Sequence, residues 1–233
     1  MKLLQVVLLL AITIAIFISC TASKKIQSAA TRKFPPDKLQ SDVMLLKKIL
    51  EANHPSLYWY TPKDSIDFYF YSIYNSITDS LTETQFRNKV AWFISKIRCG
   101  HTAVRYSKQY SKYAEKSKEP YFPLFIKAWR DSLVVLGSTR RQDSIFKRGT
   151  IITSINNMNP ALLLDSMRQF ISTDGYSDNF KDQLISFGFP LAYKSVFGLS
   201  KEYSIGYLDS SRKNKIASIN NYIPHSTKKT KAL

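Results

Sequence analysis

Apolar residues recur at helical spacing through the first half of this chain and lose that spacing in the second, and this switch limits the folds open to it. Leu39, Val43, Leu46 and Leu50 return every three or four residues, as do Ile66, Phe70, Ile73 and Ile77, and then Phe86, Val90, Phe93 and Ile97. Each set lies on one face of a helix, so residues 37–97 predict three amphipathic helices that must bury those faces together. The start signals agree. Thr61-Pro62 offers a cap followed by Pro at the first helical position, and Thr82-Glu83-Thr84-Gln85 has the pattern of a capping box. Pro55, within Asn53-His54-Pro55-Ser56-Leu57-Tyr58, ends the first helix.

From about residue 101 the texture is that of short strands. Thr102–Tyr106 suits a strand, and the basic, polar stretch Ser107–Glu119 reads as an exposed linker. Phe122–Trp129 and Ser132–Gly137 read as paired strands turning at Arg130-Asp131. A further strand ends at Asn156-Asn157. Asn159-Pro160 then caps a helix running to about Ile171, Thr173-Asp174-Gly175 breaks the chain, and a second helix covers about Asp178–Phe187. Two strands follow, at about 201–208 and 214–220. The expected class is α+β: a helical region over 37–106, a linker over 107–119, a β-rich domain with two helices over 120–222, and a basic tail over 223–233. There is no internal repeat.

The beginning of the chain has a different character. Lys2 precedes an uncharged stretch, Leu3–Ile18, which is shorter than the roughly 20 residues of a comfortable membrane span. A basic start, an apolar run and small residues before a cut describe an export signal. Phe17-Ile18-Ser19-Cys20 resembles a bacterial lipobox, in which Cys20 would be acylated and become the mature N-terminus. An uncleaved anchor helix, or an ordinary signal cut nearby, are the other readings of residues 1–20, and each carries the rest of the chain out of the cytoplasm. Residues 21–36, rich in Ser, Thr, Ala and Lys and ending in Pro35-Pro36, read as a tether. The expected location is the cell envelope, lipid-anchored and facing the periplasm or the outer membrane.

Composition then excludes several classes. Hydrophobic content of 44% with 13% aromatic residues supports a folded core rather than disorder. The formal charge of +17 is spread along the chain, its clusters being no longer than Lys24-Lys25, Arg140-Arg141 and Lys228-Lys229. That suits a solvated basic surface, or one attracted to anionic lipid headgroups, and not a nucleic-acid interface. With Cys20 taken by lipid, Cys99 has no disulfide partner. His54, His101 and His225 are far apart and lack the spacing of a metal site, so neither metal nor cofactor is expected.

Two short segments could carry chemistry. Gly149-Thr150-Ile151-Ile152-Thr153-Ser154-Ile155-Asn156-Asn157 resembles the PDZ pattern of a Gly, an apolar pair and an Ile-Asn turn before a helix. Gly149 permits a turn conformation that a Cβ opposes, Ile151, Ile152 and Ile155 can fill a small barrel, and Asn156-Asn157 tolerates positive φ. A PDZ-like small barrel or sandwich with two helices binds an extended peptide as an added strand and captures its terminal carboxylate in an amide-rich loop; Phe122, Pro123, Leu124 and Phe125 are the candidates here. An ordinary β-turn-β unit without a ligand explains the same residues. In the second segment, Ile97-Arg98-Cys99-Gly100-His101-Thr102, His101 sits on an element-terminal loop beside a Gly, and histidine is the residue type most suited to general-base work near neutrality. A structural histidine bonded to its own loop is the plainer reading. Cys99, two residues away, lacks any evident orienting carboxylate or oxyanion donors, which leaves little for a cysteine nucleophile.

The order of these pieces resembles the N-terminal half of the tail-specific (C-terminal processing) serine peptidases, in the tricorn-like exported form from Bacteroidetes. An export signal, Asn53-His54-Pro55, Gly100-His101-Thr102, Phe122-Pro123-Leu124, Gly149–Asn157 and Thr173-Asp174-Gly175 follow one another over residues 37 to about 222. The resemblance implies that His101 is the catalytic base and that peptide or protein C-termini are the ligands. Cys99 stands where that family has an acidic residue. The family's nucleophilic Ser and acidic partner lie in a later α/β core, which has no counterpart in these residues. The implied chain is therefore a substrate-recognition half, inactive by itself and completed by a separate protease core. A non-catalytic PDZ-like lipoprotein that holds peptides or a partner is the alternative.

Overall fold

The computed structural model describes residues 31–117 and 119–224. The expected export segment with Cys20, most of the expected tether, and the expected basic tail from His225 onward lie outside the described residues. The last part of that tether is structured: Lys33–Phe34 (β1) pairs antiparallel with Leu81–Thr82 (β2).

The three apolar stripes form the helices they predict. These are α1 (Pro36–Asn53), α2 (Lys63–Asn75) and α3 (Glu83–Ile97). Ten of the twelve stripe residues are buried; Leu46 and Phe86 pack at the margin. Phe70 is fully buried, its ring edge-on to Phe93 with centroids 6.0 Å apart. A fully buried apolar side chain of this kind contributes about 1.5–3 kcal/mol. The capping box is present: Gln85 N–H donates to Thr82 Oγ1, and Thr82 N–H donates to Gln85 Oε1. Thr61 departs from expectation. Pro62 is the N-cap of α2, and the buried Thr61 hydroxyl instead donates to the Lys96 carbonyl at 2.6 Å, satisfying one of the last-turn acceptors of α3.

Two expectations for residues 102–119 are corrected. Thr102–Tyr106 forms no strand, and the presumed linker carries a helix, α4 (Lys108–Lys116). Tyr106, Tyr110 and Tyr113 fall at helical spacing, and the first two stack at 4.2 Å between centroids. Glu83 then anchors the start of α4 by accepting from both Ser107 N–H and Ser107 Oγ.

The second domain is a five-stranded antiparallel sheet in the order β3 (Leu124–Trp129), β4 (Ser132–Ser138), β5 (Ile151–Ile155), β6 (Glu202–Leu208) and β7 (Asn214–Asn220). It does not close into a barrel. One antiparallel bridge, Tyr121 with Tyr222, joins the chain entering β3 to the chain leaving β7. Three helices, not two, cover one face: α5 (Pro160–Arg168), α6 (Asp178–Phe187) and α7 (Phe189–Phe197). Leu124, Ile126 and Ala128 point into that layer while Phe125 and Trp129 stay exposed, the alternation of a sheet covered on one side. Phe122, Phe189, Tyr193 and Tyr203 form an aromatic centre; burial, then Tyr203, pushes the Tyr193 phenol up to about 12. Among the described residues there are seven helices in all, none long and apolar enough to cross a membrane.

The turn chemistry read from residues 149–157 is largely realised. Gly149 has φ +91°, and Asn156 and Asn157 have φ +47° and +65°, the signs a tight hairpin-type turn requires at both central positions. Ile152 and Ile155 are buried, but Ile151 is exposed on the uncovered face.

Candidate functional site

The bundle and the sheet domain meet at two segments singled out by sequence. Arg98 closes α3 in the left-handed conformation, φ +60°, and turns the chain into Cys99-Gly100-His101. The loop Ser172–Gly175 grips this turn from the other domain. Gly100 N–H donates to Asp174 Oδ1 at 2.7 Å, Ser172 Oγ donates to the Cys99 carbonyl at 2.7 Å, and Gly175 N–H donates to the Arg98 carbonyl at 3.0 Å. A Cβ at residue 100 would meet the Asp174 carboxylate at 3.2 Å, a tight contact that glycine avoids. Asp174 thus brings a carboxylate to this turn from 74 residues away, at a place where the neighbouring residue is Cys99.

His101 is exposed, and no hydrogen bond to its ring is present among the described residues. The tying role falls to His54, whose Nε2 lies 2.8 Å from Thr102 Oγ1. Cys99 packs against the bundle core while His101 is exposed, and the turn is not a strand, so strand alternation does not bring the two together. Among the described residues, no three His, Cys, Asp or Glu side chains converge as metal ligands.

Of the candidate peptide-binding residues, Phe122, Pro123 and Leu124 are buried and Phe125 is exposed on the uncovered face. The strand they open, β3, is an edge of the sheet, and α6 runs beside it. Part of that edge is already bonded. Ala128 N–H donates to Ser186 Oγ at 2.9 Å, and Arg130 N–H donates to Asp182 Oδ2 at 3.1 Å. A narrow groove of about 270 Å³ remains between Lys127–Arg130 and the Asn179, Asp182 and Gln183 side of α6. Gly149, Ile155, Asn156 and Asn157 shape the β5 hairpin and its core and do not line this groove.

The groove adjoins a larger cleft, about 730 Å³, between the end of α3, the start of α2, and α5 and α6. Arg168 organises its floor. Its guanidinium donates to Asp182 at 2.8 and 3.1 Å and to Asp165 at 2.9 Å, and reaches the Arg130 carbonyl. Hydrogen bonding to Asp182 raises the Arg168 pKa beyond its ordinary range, so this cation is permanent. Sequence reasoning named neither Arg168 nor the cleft. Arg130 belonged only to a turn, and nothing local shows that α3 lies across from it.

A helical bundle leading into an open antiparallel sheet backed by helices is an architecture with known examples. No protein-family model matches the chain, and no curated protein matches its sequence. Among solved structures, the fold is similar to part of CPAF, the chlamydial protease-like activity factor. A CPAF mutant matches with a TM-score of 0.57 at 9% identity, over 82% of this chain and 34% of that one. Mature CPAF, alone and complexed with lactacystin, matches at 0.53 and 10% identity, over 81% of this chain and 35% of the other. The chain therefore spans about a third of the length of CPAF. At this identity the likeness is one of fold.

Proposed function

We propose that this chain is the N-terminal, substrate-recognition part of a tail-specific-type serine peptidase. The sheet domain takes up an extended peptide in a PDZ-like manner, and the bundle presents His101 as general base to a nucleophile carried by a protease core outside this chain. The observation that carries this reading is the grip on the His101 turn. Three hydrogen bonds from Ser172–Gly175 fix the backbone around it, yet the imidazole itself is exposed and unbonded among the described residues. A histidine serving only its own loop would resemble His54, which is tied to Thr102. A base awaiting substrate and nucleophile needs a fixed backbone and a free ring nitrogen. The fold likeness to about a third of CPAF, a protease, is consistent with this chain being one part of a larger peptidase.

Acyl transfer by serine needs nucleophile, base and oxyanion donors in one constellation. The purified chain is therefore expected to leave labelled casein intact. A coding sequence extended through its downstream DNA is expected to yield cleavage that disappears in His101→Ala. Cleavage by the chain alone would overturn the division proposed. Extended-chain activity indifferent to His101→Ala would remove His101 from the chemistry.

A further inference from the structure

We propose that the cleft between bundle and sheet domain binds a small phosphate ester, its dianion drawn to Lys96 and Arg98 from the bundle and Arg130 from the sheet domain. This ligand is a molecule separate from any peptide, and its binding does not depend on the peptide-recognition reading.

Charge in the cleft is unevenly paired. All four carboxylates that line it have cationic partners: Asp165 and Asp182 bond Arg168, Asp131 lies 3.6 Å from Arg168, and Asp178 pairs with Lys181 at 2.9 Å. Lys96, Arg98 and Arg130 line the same space and pair with no carboxylate among the described residues. Lys96 and Arg98 lie against aromatic rings instead. The Lys96 ammonium is 4.7 Å from the Trp92 ring centre, and the Arg98 guanidinium 4.3 Å from that of Tyr176. Lys181 and Arg98 are also near enough to repel Lys96, and their charges add to burial in lowering its pKa. An incoming anion relieves that repulsion. Three unpaired cations are more than one carboxylate neutralises, which favours a doubly charged phosphate, and a guanidinium matches phosphate oxygens in pairs.

Size and lining point to an ester and not to the free ion. At about 730 Å³ the cleft lies within the range of small-molecule sites, roughly 300–1,000 Å³, and a phosphate ion alone fills little of it. Ser65, Gln169 and Asn179 line the remaining wall with side chains that make no hydrogen bond among the described residues, so the hydroxyls of a sugar or polyol find donors and acceptors there. Because the unpaired cations come from both domains, the ligand bridges them. It does so beside the Gly175–Arg98 hydrogen bond that helps hold the His101 turn.

Titration calorimetry on the full chain at physiological salt, with glucose 6-phosphate, inorganic phosphate and glucose as probes, tests this. Glucose 6-phosphate is expected to bind about tenfold more tightly than inorganic phosphate, and glucose to give no saturable heat. Lys96→Met and, on the opposite wall, Arg130→Gln should each weaken glucose 6-phosphate about tenfold, the scale of one charge-assisted hydrogen bond. Lys112→Gln removes an exposed charge of α4 outside the cleft and should change affinity less than about twofold. Melting temperatures of all three variants should be little changed. Absence of glucose 6-phosphate binding would overturn the proposal. Equal weakening by Lys96→Met and Lys112→Gln would overturn it too, since binding would then be general attraction to a chain of charge +17. Equal affinity for inorganic phosphate and the ester would overturn the ester, and glucose binding as tightly as its phosphate would overturn the role of the anion.

Discussion

Glycine positions separate what a single residue shows in sequence from what it shows in three dimensions. Gly149 was legible, because its place before an apolar strand calls for a turn, and its φ of +91° agrees. Gly206 was not. It lies within β6 opposite Ser154, beside an irregularity of the β5–β6 ladder. A Cβ there would stand 2.4 Å from Ser154 Oγ, 2.7 Å from Thr153 Oγ1 and 3.2 Å from Ser154 N, contacts created by a strand about fifty residues away. Around residue 149 an added Cβ meets nothing within 4 Å. Gly149→Ala should therefore cost only backbone strain, about 1 kcal/mol, whereas Gly206→Ala adds a steric conflict and should cost about 3 kcal/mol. Urea unfolding of the two variants decides this, and equal costs would contradict the packing described. Gly100 follows the same logic: the sequence marks a turn, but only the structure shows the Asp174 carboxylate that crowds the place of a side chain.

At the scale of elements, the helices with long apolar stripes were legible and the short ones were not. α4 was hidden by its charges, although Tyr106, Tyr110 and Tyr113 repeat at helical spacing. α7 follows Gly188 directly and carries Pro190 in its first turn, residues that disfavour a helix interior and so mask its start. Proline in a first turn removes only an N–H that has no intrahelical partner, so α7 begins there without penalty. These two overlooked helices are linked through Glu119. Burial alone would raise its pKa, but Lys194 of α7 and the Tyr113 hydroxyl of α4 both bond its carboxylate, and the net effect is a pKa below the usual glutamate range. A lowered folded-state pKa gives stability that is present above the unfolded value, near 4.3, and is lost as pH falls through the folded one. Stability should accordingly decline below about pH 4.5, and Glu119→Gln should flatten this acid limb while lowering stability at pH 7. Thermal melts from pH 7 to pH 3 would show it; identical acid limbs in both proteins would mean that the Glu119 contacts contribute nothing.

The whole molecule is a bundle and an open sheet joined by loops that sequence reading placed in separate domains. Periodicity reveals which faces are buried, so the α+β class and the order of most elements could be read from it. Sheet closure could not, because it depends on how far β3 and β7 curl toward each other, and here they meet at the single Tyr121–Tyr222 bridge. The site was legible to the same partial degree. His101 and Asp174 were each marked as turn residues, but their meeting depends on bundle and sheet docking, and the cationic cleft exists only because of it. The structure also sharpens the peptide-recognition proposal: β3 offers an edge, but Ser186 and Asp182 already bond part of it, so an added strand must displace α6 side chains or use the groove beside them. Mapping amide chemical shifts while adding an unstructured peptide with a free C-terminus tests the account most directly. It predicts shifts along Lys127–Arg130 and the first two turns of α6, which line the groove. Shifts confined to β7 and the outer faces of α1 and α2, or no shifts at all, would contradict it.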